Sequence, residues 1–200
     1  MAVLTKNIFI EYREPIAKTI ELNWKIVVAN LIREAGNYDL KFEAYLNADV
    51  DLRVLIITDK NKFQKVNIEG ILKNSHSKIN LHIIALVLEG DLVLDGGIFI
   101  PSGVQKVEGY LLEENIILGE NIKITSLPRL DVRSNDVAAS HGAKIERLDE
   151  LKMFYLRSKG LSKRQAQLLL IDGYIQKFFE GLNNVDQQKQ DLINYFENNL

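Results

Sequence analysis

The chain has 200 residues, 46% of them hydrophobic and 26% charged, with a formal net charge of −2 and no cysteine. This composition suits a single globular core. It excludes the basic footprint of a nucleic-acid binder, a disulfide framework, and any thiolate metal site built by this chain alone.

In chain order, the stretch 1–12 lacks a charged-then-apolar signal ending in small residues. No apolar run approaches the roughly 18 residues of a membrane span, so a soluble, cytoplasmic protein is expected. From about Asn7 to about Val137 the chain reads as many short strands. Aliphatic runs recur at 8–10, 26–28, 54–57, 79–88, 92–94, 98–100, 110–112 and 116–118. Asn74-Ser75, Asp95-Gly96-Gly97 and Gly119-Glu120-Asn121 read as turns between them. Residues 32–43 fit a helix or a strand.

A faint repeat lies in this half. Ile68-Glu69-Gly70, Leu88-Glu89-Gly90 and Val107-Glu108-Gly109 share the order aliphatic, Glu, Gly, with starts 20 and 19 residues apart. A period of that size built from short strands suits a β-solenoid, and a sandwich stays open on this evidence. After Gly142 the periodicity turns helical. Asp149 can cap a helix carrying Leu151, Phe154 and Tyr155, stopped by Gly160. Ser162-Lys163-Arg164-Gln165 has capping-box form, and Ala166, Leu169, Leu170, Gly173, Tyr174 and Phe178 would make the apolar face of the next helix. Asn183-Asn184 breaks it, and Asp186 can cap a last helix with Leu192, Ile193, Tyr195 and Phe196. The expected division is a β body over 1–142 and a helical domain over 143–200.

Catalytic signatures are scarce. There is no phosphate-binding loop and no dinucleotide fingerprint. The three histidines, His76, His82 and His141, have no metal-ligand spacing among themselves. His76 reads as a solvated turn residue and His82 as a hydrogen-bonded residue of a strand. Ser140-His141 invites a nucleophile-and-base reading, but adjacent strand residues point to opposite faces. The run 118–124 resembles one hexapeptide repeat of a solenoid acyltransferase; it stands nearly alone, and such coils need many tandem copies.

Three runs over residues 109–182 carry a resemblance. Ser126-Leu127-Pro128-Arg129-Leu130-Asp131-Val132 resembles an "S-x-P-x-L-E-I" strand, with Asp131 where Glu is usual. Asn135-Asp136-Val137-Ala138-Ala139-Ser140-His141-Gly142-Ala143 resembles "D-D-V-x-C-S-H-G-A". Leu148-Asp149, then 154–161, resembles "L-D … F-Y-L-x-S-R-G-I". In this order and spacing they are similar to the SufB/SufD family of iron–sulfur cluster assembly scaffolds, on the SufD side.

The resemblance implies a mainly β protein, a right-handed parallel β-helix followed by a small helical domain. It implies a non-catalytic scaffold subunit of the SUF system, pairing with a SufB-like subunit or with a second copy as a homodimer, and docking a SufC-like ABC ATPase. His141 matches the family's histidine at the cluster-assembly interface, a metal ligand only where a partner adds ligands; the other reading is a structural histidine at the end of the last coil. Phe154, Tyr155, Arg157 and Lys159 match the helix that meets the ATPase, with Leu151 and Phe154 expected to pack inward and the basic residues to be more exposed. Ala139 stands where the family often has Cys. The chain is therefore expected to bind no cofactor alone and to share an iron–sulfur cluster with a partner. A β-solenoid interaction module without cluster chemistry is the alternative, ahead of a hexapeptide acyltransferase. Neither nucleic acid nor membrane is expected as a partner.

Overall fold

The computed structural model describes residues 6–60 and 62–200. Residues 1–5, part of the stretch read above for a signal, and Asn61 lie outside the described residues. The strands are β1 (Lys6–Tyr12), β2 (Ala17–Leu22), β3 (Lys25–Ile32), β4 (Gly36–Ala44), β5 (Asp49–Thr58), β6 (Phe63–Leu72), β7 (Lys78–Val87), β8 (Gly90–Ile100), β9 (Val107–Ile117), β10 (Ile122–Ser126), β11 (Arg129–Val132) and β12 (Val137–Arg147). Three helices follow: α1 (Glu150–Ser158), α2 (Lys163–Phe179) and α3 (Asp186–Asn199).

Strands β1-β3-β5-β7-β9-β12 form one sheet, called A, in that spatial order. Strands β2, β4, β6, β8 and β10 form sheet B, with β11 continuing beside β8. Every pairing is parallel. Parallel neighbours drawn alternately into two sheets require the chain to wind, one strand in each sheet per turn. This is the parallel β-solenoid with C-terminal helices that the sequence predicts.

Its period is not the one the triplets suggested. Lys6 stands beside Ile26, Ile26 beside Val50, Val50 beside Ile79, Ile79 beside Gly109, and Gly109 beside Ala139. The step per coil therefore grows from 20 to 24 to 29 and then 30 residues, while β1 has 7 residues and β12 has 11. The three triplets occupy unlike places: mid-strand in β6, the turn into β8, and the start of β9. Gly70 and Gly109 share a different purpose. A Cβ at either would press on Ile98, at 3.0 and 2.8 Å, so both make room for the same core side chain.

Asp95-Gly96-Gly97 is not a turn; β8 runs straight through it. Gly96 faces inward, where an added Cβ would lie 2.0 Å from Glu113 Oε1. Gly97 faces outward beneath the Arg129 guanidinium, 3.3 Å from where its Cβ would be. Each glycine is there to admit a neighbour's polar group, which local sequence does not reveal.

Two apolar clusters hold the molecule. The first fills the solenoid between the sheets with inward residues such as Val28, Leu52, Leu81, Leu40, Ile68 and Leu92. The second lies on the outer face of sheet A, where Ala29, Leu31, Leu55, Ile57, Ile84, Leu86, Ile116 and Leu118 meet Ile171, Ile175, Phe178, Phe179, Leu192 and Phe196. Strands buried on both faces are read as continuous aliphatic runs, which is why 54–57 and 79–88 show so little alternation. Sheet A thus needs α2 and α3 as a cover.

Both caps read in the sequence are present: Asp149 Oδ1 accepts from the N–H of Leu151 and Lys152, both at 3.0 Å, and Ser162 and Gln165 form the reciprocal capping box. Gly160, at φ +97°, follows α1. Asp186 opens α3, but its side chain makes no cap bond; Val185 occupies the cap position. Strand β12 continues through Arg147, so strand gives way to helix at Leu148-Asp149.

The buried side of α2 is Ala166, Ile171, Ile175, Phe178 and Phe179, so of the expected stripe Ala166 and Phe178 are buried, while Leu169 is half exposed and Leu170, Gly173 and Tyr174 border a surface groove. The larger correction concerns α1. Leu151, Phe154 and Tyr155 are 81, 74 and 59% exposed, and α1 buries no residue at all. Sheet A is already covered by α2 and α3, so α1 meets that cover through the half-buried Met153 and leaves Leu151, Phe154 and Tyr155 outside.

Phe178 and Phe179 stack edge-on at 4.7 Å and both meet Phe9 of β1. Phe178→Ala removes the anchor of this cover, and urea unfolding is expected to show a loss of about 3–5 kcal/mol.

Candidate functional site

Strand β12 closes sheet A. It is bonded to β9 along its whole length, and its other edge meets no strand among the described residues. Its side chains alternate, so Ser140 and His141 point to opposite faces and cannot serve as nucleophile and base. His141 lies on the inward side. In register it continues the row Ile8, Val28, Leu52, Leu81 and Leu111. An imidazole therefore stands where the next coil's aliphatic residue would stack, and it is exposed because no further coil covers it.

Just inside this mouth the solenoid core turns polar. Glu113 and Asn115 are both inward residues of β9 and fully buried. Ser126 Oγ of β10 donates to Glu113 Oε2 at 2.5 Å, and Asn115 Nδ2 donates to Ser126 Oγ and to the Lys144 carbonyl, both at 3.3 Å. Asn115 Oδ1 has no donor among the described residues. Burial raises the Glu113 carboxyl above the ordinary carboxylate range, and the Asp95 charge adds to this, against the bonds from Ser126 and from the Gly96 backbone N–H.

Glu114, the next residue, faces outward under α2. Its Oε2 lies 2.6 Å from His82 Nε2 and 2.8 Å from Lys177 Nζ, and its Oε1 lies 3.0 Å from Lys144 Nζ. Burial pushes this carboxyl up, but the bonds from Lys177, Lys144 and His82 outweigh it and hold it at about 2. His82 is driven the other way: burial and then the Lys177 charge lower it, against the pull of Glu114. It is the hydrogen-bonded strand residue expected from sequence, and His76 is the exposed turn residue, at φ +61°. Sequence reading missed both glutamates. The signal was present: two adjacent acids inside a strand must put one side chain into the core.

The third feature is α1. Phe154, Tyr155, Arg157 and Lys159 are all exposed, and the Lys159 ammonium lies 5.4 Å from the Tyr155 ring centre. Phe154 and Arg157 line a groove of about 440 Å³ with Met153, Arg147, Lys163 and Glu120. Helix α1 is joined to the mouth through Leu148-Asp149 alone, so the exposed helix and the strand bearing His141 are consecutive elements.

Residues 24–174 match the family described as "SUF system FeS cluster assembly, SufBD core domain". The chain belongs to the SufBD core family. The match takes in β3 through most of α2, and with them the mouth and α1. Among curated relatives, this SufBD core chain is 33% identical over 70 residues to the iron–sulfur cluster assembly protein SufD of Escherichia coli, covering 35% of this chain and 16% of that protein. It is 42% identical over 52 residues to a SufBD family iron–sulfur cluster assembly protein of Synechocystis, covering 26% and 12%. With SufD of Bacillus subtilis the identity is 31% over 70 residues, covering 35% and 16%. The stretches matched thus span well under a quarter of each of these relatives.

Among the described residues of this SufBD core chain, no helix is long and apolar enough to cross a membrane. None of its groups of three or more His, Asp or Glu side chains comes close enough to hold a metal ion. The mouth offers one imidazole, one carboxyl, one amide and one hydroxyl.

The two glutamates predict opposite pH behaviour. Glu113 is raised in the fold, so its contribution favours the folded state at low pH and is lost as pH rises through the ordinary carboxyl range and beyond. Glu114 is depressed to about 2, so its contribution is present above the ordinary range and is lost as pH falls toward that value. In denaturant titrations across pH, Glu113→Gln is expected to raise stability at neutral pH, and Glu114→Gln to lower it and to flatten the acid limb.

Proposed function

We propose that this chain is a non-catalytic scaffold subunit of a SUF-type iron–sulfur cluster assembly complex. The observation that carries the reading is α1 in a SufBD core fold: a helix whose Leu151, Phe154 and Tyr155 are solvent-exposed beside Arg157 and Lys159. Apolar side chains grouped on one helix and rimmed by charge fit a protein interface. The partner proposed for it is a SufC-like ABC ATPase.

The open edge of β12 is the second contact. Eleven residues of unpaired backbone are a template for another strand, proposed here to come from a SufB-like subunit or from a second copy of this chain. In either case His141 lies at the junction. Its proposed role is to ligate iron of the cluster under assembly, with the partner supplying the thiolates that this chain lacks. The cluster is cargo shared across the interface. The reading excludes no chemistry in the partner; it gives this chain the work of holding and orienting.

A second reading keeps the fold and both contacts without cluster chemistry. The lack of any cysteine favours it over a chain that carries a cluster alone, but not over the scaffold role, in which a partner brings the sulfur ligands. An acyltransferase has less support, because strands of 8 to 11 residues wind the central coils, not tandem hexapeptides.

Co-expression with the host's SufC-like ATPase and SufB-like subunit separates these readings. A complex is expected to co-purify. Phe154→Ala with Tyr155→Ala is expected to release the ATPase while leaving thermal unfolding within about 0.5 kcal/mol of wild type, as exposed residues do. His141→Ala is expected to keep the complex and lower its cluster yield. An unchanged yield would leave the interaction module standing, and no co-purifying partner would remove the scaffold reading.

A further inference from the structure

Five of the eight arginines, Arg13, Arg33, Arg53, Arg129 and Arg133, carry a carboxylate partner. The other three, Arg147, Arg157 and Arg164, make no ion pair among the described residues, and all lie in one stretch. Residues 147–164 hold six Lys and Arg against two acids, in a chain of net charge −2. Within it Lys152 pairs with Asp149, Lys159 lies over the Tyr155 ring, and Arg164 donates to the Glu197 carbonyl. Arg147, Arg157 and Lys163 are left. They come from the end of β12, the last turn of α1 and the start of α2, and they line one groove of about 440 Å³. All three are exposed. Like charges gathered at one groove repel, and the fold itself sets no carboxylate against them.

We propose that this groove receives an acidic segment of a partner protein, with carboxylates on Arg147, Arg157 and Lys163 and one apolar side chain against Met153 and Phe154. The Arg147 guanidinium donates to the Gly119 carbonyl at 3.1 Å, which holds it at the rim without neutralising it. Met153, Phe154, Leu118 and Leu148 give the groove an apolar wall. Cations from three elements around such a wall complement an acidic chain with an apolar anchor. A phosphate polymer brings the charge without the anchor, and a bilayer surface is too flat to enter. Glu120 and Glu150 also line the groove, and neither pairs with the three cations. They repel phosphate but accept the backbone N–H groups that a polypeptide carries. Leu151 and Tyr155 do not line the groove, so it is a contact of its own, sharing Phe154 with the outer side of α1.

This deepens the docking role proposed for α1 and rests on it only for the choice of a protein partner; its test needs no ATPase or second subunit. The peptide Asp-Glu-Asp-Leu-Phe-Glu-Asp is titrated into the isotopically labelled full chain, and its NMR signals are followed. Shifts are expected to centre on 117–120, 147–157 and 163–167, and to weaken as salt is raised. The peptide Asn-Gln-Asn-Leu-Phe-Gln-Asn is expected to shift nothing. Arg147→Glu with Lys163→Glu is expected to raise the Kd at least about tenfold, and its own spectrum reports whether it folds. If it does not fold, Arg157→Gln, which only removes a charge, takes its place. Lys65→Glu with Lys123→Glu makes the same change of net charge on exposed positions of sheet B and is expected to leave the Kd unchanged. Binding that survives the groove variant, that the neutral peptide matches, that centres elsewhere or that is absent from wild type overturns the proposal. So does a groove whose signals shift with heparin or phosphatidylserine vesicles but not with the acidic peptide. Any of these leaves the co-purification result intact, and a failed co-purification leaves this one intact.

Discussion

Sheet A is apolar on both faces, and most of the architecture follows from that. Its inner face closes the solenoid against sheet B, while Leu31, Leu55, Ile57, Ile84, Leu86 and Ile116 form an outer apolar surface that water would otherwise meet. Helices α2 and α3 lie across it because theirs are the apolar residues available to cover it. That cover reaches β1, through Phe9 and the Phe178–Phe179 pair, and is pinned at the other end by Lys177 on Glu114. Once the sheet is covered, α1 touches that cover through the half-buried Met153, and its aromatic residues stay in solvent.

Much of this was legible in the sequence. Short aliphatic runs in the first part, helical spacing after Asp149, and caps at Asp149 and Ser162 rest on local rules, and local rules held. What was not legible depends on which coil lies next to which. The triplets at 68, 88 and 107 looked like a period because similar letters recurred, but the coil step changes along the chain and no fixed period could match it. Gly96-Gly97 looked like a turn because two adjacent glycines usually are one; their reason lies in Glu113 and Arg129, remote in sequence. The inward packing expected of Leu151 and Phe154 assumed that a helix with an apolar side finds a core. Here the core face was already taken.

The candidate site was legible in its family motif and hidden in its surroundings. His141 stands out because Asn135–Ala143 is a recognisable run. Glu113, Asn115 and Ser126 belong to no motif and meet only through winding. The adjacent acids of β9 illustrate how one strand divides two tasks. Glu113 enters an interior with no counter-charge, which raises its carboxyl, while Glu114 turns outward to two lysines and a histidine, whose bonds hold it well below the ordinary range. One residue of register separates them. The polar core at the mouth, the strand bearing His141 and the clasp under α2 are thus three sides of a single segment.

The coil step that lengthens from 24 to 30 residues between β3 and β12 widens the solenoid along its axis. The strands of sheet A grow with it, from 8 residues in β3 to 11 in β12. A partner that pairs along the edge of β12 therefore meets a wide rim, and only a strand of similar length covers it.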